Sequence, residues 1–240
     1  MATFVMKDSE ILLNDLDLSG HSNQVSISLD VEMADVTVWG VGTRQSAPGL
    51  RTAAFEVQTL YDPSSGAIDK GAFDALSTEG ALISVAPQDS TAGNPAYFGE
   101  FQVSSRELGG SVGELLVARV SAVSRYKPTR GIVAVPHSQL TATGTSAKYQ
   151  LGAVTSTNQL VAQVHCTQFN GTSLDIAVQS DADVTAGSET TRFSMTQLTG
   201  VGAERKVYTT TQAQTWWRFS YTFVGTSFTA LMLLGIEPRP

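Results

Sequence analysis

Residues 24–33, QVSISLDVEM, put Val25, Ile27, Leu29, Val31 and Met33 at alternate positions with mostly polar residues between them. Side chains alternate across a strand, so this stretch predicts a half-buried β-strand. The phase flips at Val36 and Val38, which predicts a bulge or turn near Ala34–Asp35. A Gly/Pro-rich loop, GVGTRQSAPGL, follows. AAFEVQTLY then alternates again, with Phe55, Val57, Thr59 and Tyr61 set against Glu56 and Gln58. Ile68, Phe73 and Leu76 recur at near-helical spacing and predict a helix over 67–80, with Gly80 as its stop and Gly71 as its weak point. ALISVAP, YFGEFQVSS and GELLVARVSAV predict three more strands. In the last of these Leu116, Ala118, Val120 and Ala122 share the apolar face.

The second half is strand-rich too. LVAQVHCTQF and TSLDIAVQS flank Asn170–Gly171, a pair favoured in type I′ turns, and so predict a hairpin. TWWRFSYTF alternates strictly, with Trp217, Phe219, Tyr221 and Phe223 on one face and Trp216 and Arg218 on the other. SFTALMLLGI predicts a buried strand. The chain reads as mainly β: an N-terminal β-sandwich or barrel with one short helix, then a second β-sandwich or jelly roll. A basic cluster of Arg125, Lys127 and Arg130 gives way to Thr, Ser and Gly. That shift places domain one at 1–133, a linker at 134–145 and domain two at 146–240.

Charge sharpens this picture. Residues 1–133 carry 9 basic and 16 acidic side chains, which accounts for the whole net charge of −7; residues 134–240 carry 6 of each. Such a chain does not bind nucleic acid by counterion release, which needs clustered Lys and Arg. The one cysteine, Cys166, allows no internal disulfide, and the N-terminus lacks the basic-then-apolar pattern of a secretory signal. The longest apolar run, ALMLLGI, is too short to span a bilayer. The expectation is synthesis in the cytoplasm with no membrane partner.

The chain lacks the common nucleophile, phosphate-loop and metalloprotease motifs. Gly40–Val41–Gly42 and Gly200–Val201–Gly202 both miss the third glycine of a dinucleotide fingerprint. His165 and Cys166 are adjacent, so a strand would point them to opposite faces. The acids Asp15, Asp17, Asp30, Glu32 and Asp35 have no calcium-loop spacing and read as a solvated face. A glycan hydrolase would need a carboxylate pair beside the tryptophans, where the closest acids are Glu204 and Glu237. Trp216 with Arg218 could instead stack on a host-surface glycan or meet a partner. No enzyme activity, cofactor or metal site is expected.

Several short motifs occur in a telling order. Val36, Thr37, Trp39 and Gly40 lead to Arg44 and then Pro48, Gly49 and Leu50. Asn94, Pro95, Tyr97 and Gly99 follow, then Gly110, Ser111, Gly113 and Glu114. Their order and spacing resemble the tail tube (major tail) proteins of long-tailed bacteriophages, over about 130 residues. The resemblance implies a virion protein of the tail that self-assembles through strand edges. It implies hexameric rings that stack, other tail proteins as neighbours, and genome DNA passing without specific binding. The second domain would project outward as a decoration. The alternative is a virion-surface decoration protein whose second domain binds glycan. Trp39, Arg44, Asn94, Pro95 and Phe98 are the expected subunit contacts. In NPAYFGEF, Tyr97 and Phe98 fall on opposite faces; Tyr97 is expected in the core and Phe98 against a neighbouring subunit.

Overall fold

The computed structural model describes residues 8–38, 42–61, 71, 73–76, 79–111, 113–185 and 187–239. Nearly all of the regular structure is β. The N-terminal strands are β1 (Glu10–Leu13), β2 (Leu16–Asp17), β3 (Ser22–Asp35), β4 (Ser46–Leu60) and β5 (Ala81–Ala86). Then come β6 (Pro95–Gly109), β7 (Val117–Ser124), β8 (Thr129–Leu140), β9 (Gly144–Thr145) and β10 (Tyr149–Gln150). The last four are β11 (Asn158–Asp181), β12 (Thr190–Ser194), β13 (Gly202–Tyr208) and β14 (Trp216–Pro238). The helix expected over 67–80 lies mostly outside the described residues; 71, 73 and 74 are helical, and the Ala75 amide donates to the Gly71 carbonyl.

The chain forms two compact units that are not the two expected halves. The smaller comprises His21–Ala81 and Glu100–Pro128; the larger comprises Met1–Gly20, Leu82–Gly99 and Thr129–Pro240. Residues 134–145, expected as a linker, instead contain the whole second half of β8 and all of β9. The Thr/Ser/Gly composition marks no boundary there, because β8 is buried from Val133 to Val135 and hydrogen-bonded along β14.

In the smaller unit β3, β4, β7 and the later part of β6 pair in that order, each antiparallel to the next. Alternation works as the sequence predicts: Ala53, Phe55, Val57 and Thr59 of β4 are buried, with Val120 and Ala122 of β7 and Phe101 and Val103 of β6. Phe55 and Phe101 lie with ring centroids 6.3 Å apart. Burying one such ring contributes about 2–3 kcal/mol.

The larger unit is built on one long ladder. β11 and β14 pair from Asn158↔Pro238 to Asp181↔Trp216. The expected hairpin at Asn170–Gly171 does not form; β11 continues through it as one strand, with irregular register on either side of Gly171. A strand of 24 residues would extend about 80 Å at roughly 3.3 Å per residue. This one folds back on itself. Tyr208, beside one end of the ladder, and Trp217, at the other, have ring centroids 6.2 Å apart, and Phe193 stacks on Tyr208 at 5.6 Å. Gly171 and Gly225 pair at the bend. A Cβ on Gly171 would lie 2.6 Å from the Phe223 ring, and one on Gly225 would lie 2.3 Å from Gly171 Cα. Only glycine allows that approach.

The two halves of the ladder close one core. Leu160, Ala162 and Val164 join Leu174, Ile176, Val178, Trp217, Phe219, Ala230, Met232 and Leu234. The opposite face, with Val161, Leu231 and Leu233, is covered by Leu12, Ala86, Ala96, Phe98 and Val133. Burial on both faces explains why ALMLLGI is a continuous apolar run rather than an alternating one. Glu237, 7% exposed, is satisfied by Thr129 at 2.6 Å, Gln159 at 2.9 Å and Arg205 at 3.3 Å.

Candidate assembly surface

Among the described strands β3 pairs with β4 alone, along one of its two edges. Ile27 stands opposite Phe55 and Leu29 opposite Ala53, and directly paired residues share a face. The core face of the sheet therefore continues outward through Leu29, Val31 and Met33. There its cover ends: these three side chains are 57%, 43% and 60% exposed. Leu29 and Val31 line a shallow apolar recess with Thr52, Ala53, Lys127 and Pro128. The sequence pattern predicts a half-buried strand, but no β3 side chain is fully buried.

The tip of this arm is held by polar contacts. Thr37 donates from its hydroxyl to Asp35 at 2.6 Å and from its amide at 3.0 Å; Arg44 pairs with the same carboxylate at 2.9 Å. The Thr37 bonds, with a lesser share from Arg44, lower the Asp35 pKa below the usual carboxylate range. The phase flip read near Ala34–Asp35 corresponds to a register shift between Val31 and Met33 and to the end of β3 at Asp35. The other face of the sheet is a polar trough of Gln24, Ser26, Glu56, Gln58, Glu107, Arg119 and Ser121. Within it Arg119 donates to Gln58 at 2.9 Å.

The residues expected at subunit contacts fare differently. Trp39 lies outside the described residues. Arg44 is exposed at the arm's tip. Asn94 organises its own loop: its side chain donates to Asp89 at 2.6 Å and its carbonyl accepts from the Val133 amide at 2.9 Å. Hydrogen bonds from Thr91, and a weaker one from Asn94, lower the Asp89 pKa. Pro95 opens β6 opposite Ile132. Phe98 corrects the expectation outright: it is fully buried beside Leu231 and Leu233, while Tyr97 is half-buried. The parity of the two rings was readable, but the covered face is chosen by β11 and β14, more than 60 residues further on.

Trp217, Phe219, Tyr221 and Phe223 are buried as the alternation predicts. Trp216 is half-buried. Arg218 is held within the chain by Gln179 at 2.8 Å and Glu189 at 3.1 Å. Glu189 also meets Lys148, which bonds Asp181 at 2.5 Å. These bonds occupy Nε and Nη1 of the Arg218 guanidinium within the chain. The net charge also divides differently from the expected halves: −4 on the smaller unit (7 basic, 11 acidic) and −3 on the larger (8 basic, 11 acidic).

No family model matches the chain, and no curated protein matches it. Among solved structures it is similar to a chain of the virion of a native gene transfer agent particle. That pair is 19% identical with a TM-score of 0.45, over 53% of this chain and 98% of the other. It is similar to the SPP1 Dit protein, described as a hub adsorption apparatus in phages infecting Gram-positive bacteria. That match is 13% identical with a TM-score of 0.42, over 96% and 100% of the two chains. The SPP1 tail tube is also similar, at 16% identity and a TM-score of 0.43, over 51% of this chain and 76% of that one.

Proposed function

We propose that the chain is a structural subunit of a phage-type tail, assembling with copies of itself into a ring. One observation carries the reading: an apolar face continuous with the core runs exposed along β3 through Leu29, Val31 and Met33, on a strand that pairs with β4 alone among the described strands. Together these are an aggregation hazard in a lone molecule and an assembly surface in a ring, where one copy's arm is covered by the next. The ordered motifs at 36–50 and 94–114 favour a tail as the setting. A sixfold ring and passage of DNA through its centre are the finer parts of the proposal. The polar trough suits such a channel, because Glu56 and Glu107 outnumber Arg119 there and carboxylates repel phosphate.

Mass photometry and negative-stain microscopy test the reading. The natural protein is expected to form rings or stacked rings. Val31→Glu with Met33→Glu is expected to leave monomers of unchanged melting temperature, because both side chains face solvent in the single chain. Natural protein that stays monomeric at every concentration, or a double variant that still assembles, would overturn it.

A further inference from the structure

One rung of the larger unit's sheet carries a bulge on each side of β14. Toward β8, Ala230 pairs with Ser138 and Met232 with Val135, so Pro136 and His137 together oppose Leu231. Toward β11, Cys166 pairs with Ala230 and Gln168 with Thr229, which leaves Thr167 as the extra residue. Bulges re-aim side chains. Here His137 Nε2 meets Thr167 Oγ1 at 2.8 Å. The opposite ring nitrogen, Nδ1, faces the β1–β2 hairpin, contacts Glu10 Oε1, and has Asp17 Oδ2 at 3.9 Å. Asp17 is itself oriented, since its Oδ1 accepts the Ser19 amide at 2.8 Å.

We infer that Glu10, Asp17 and His137 form a binding site for a divalent first-row transition ion, with Zn²⁺ the best match. Three strands deliver one imidazole nitrogen and two carboxylates, and the ligand atoms lie within 4.8 Å of one another. Zinc bonds of about 2.1 Å would set tetrahedral ligand atoms about 3.4 Å apart, a distance that side-chain adjustment can reach. His137 and Glu10 have side chains only 10% and 15% exposed, whereas Asp17 is 42% exposed. Asp17 thus gives an open side for entry and for a water ligand. Thr167 and the Ser19 amide supply the outer hydrogen bonds that fix ligand orientation in built metal sites. An imidazole with two carboxylates suits zinc better than calcium, which takes six or more oxygen ligands. Without the ion, His137 Nδ1–H donates to Glu10; with it, the ion replaces that proton and ties β1 and β2 to β8.

Calorimetric titration of the full chain with zinc chloride near neutral pH, alongside thermal melts, tests the site. One equivalent should bind and raise the melting temperature. Asp17→Asn and His137→Gln should weaken binding by at least about tenfold, and Thr167→Val by about tenfold through lost orientation. His21→Gln should change nothing. Asp17 is partly exposed, so its variant stays readable even if His137→Gln destabilises the fold. No saturable binding at millimolar zinc, binding that survives Asp17→Asn, or a preference for calcium would overturn the assignment.

Discussion

His165 is a buried base whose surroundings fix its tautomer. Its Nδ1 lies 2.6 Å from the Asn14 carbonyl, which can only accept, so Nδ1 carries the proton. Its Nε2 then accepts from the Gln163 amide at 2.8 Å, and that amide also donates to Ile83 at 3.1 Å. Burial drives the His165 pKa down from 6.5 to about 4. A base with a lowered folded pKa gives stability that is complete above its unfolded pKa and lost as pH falls toward the folded one. Stability should therefore decline from pH 6.5 toward pH 4, by on the order of 3 kcal/mol from this residue. An NMR titration should show the His165 ring proton flat through pH 6.5. A midpoint near 6.5 would refute the assignment.

Elements expose the limits of local patterning. The alternation in TWWRFSYTF identified the buried face of β14 correctly, because parity is a property of the strand itself. Asn170–Gly171 was misread as a turn because a glycine that closes a hairpin and one that lets two strands touch look alike locally. The deciding partner, Gly225, is distant in sequence. Gly171→Val should thus act as overpacking at a bend and cost at least about 2 kcal/mol, read as a lower denaturation midpoint. Unchanged stability would mean that the bend does not depend on this approach. The Glu10–Asp17–His137 cluster is illegible in the sequence for the same reason, since His137 lies more than a hundred residues from the two carboxylates.

At the scale of the whole molecule, the composition shift near residue 134 suggested two consecutive domains, whereas the larger unit draws on three separated segments. A fragment of residues 146–240 would expose Val161, Leu231 and Leu233, whose covering residues Leu12, Ala86, Ala96, Phe98 and Val133 come from outside it. Such a fragment is expected to be aggregated or molten, with poor amide dispersion by NMR and no cooperative melt. A well-dispersed spectrum would restore the two-domain division.

The placement of β14 also bears on how the protein is made. This strand pairs with β8, β9, β10 and β11, yet it is the last of the fourteen to leave the ribosome. The larger unit cannot close until translation has passed residue 238, whereas every strand of the smaller unit has been translated by residue 124. The exposed apolar face of β3 is therefore translated well before the core that completes the molecule, in a chain whose long-range pairings already favour slow folding. A chain cut short before β14 leaves β11 without its longest partner and the face of Val161 without Leu231 and Leu233, so it cannot complete the larger unit.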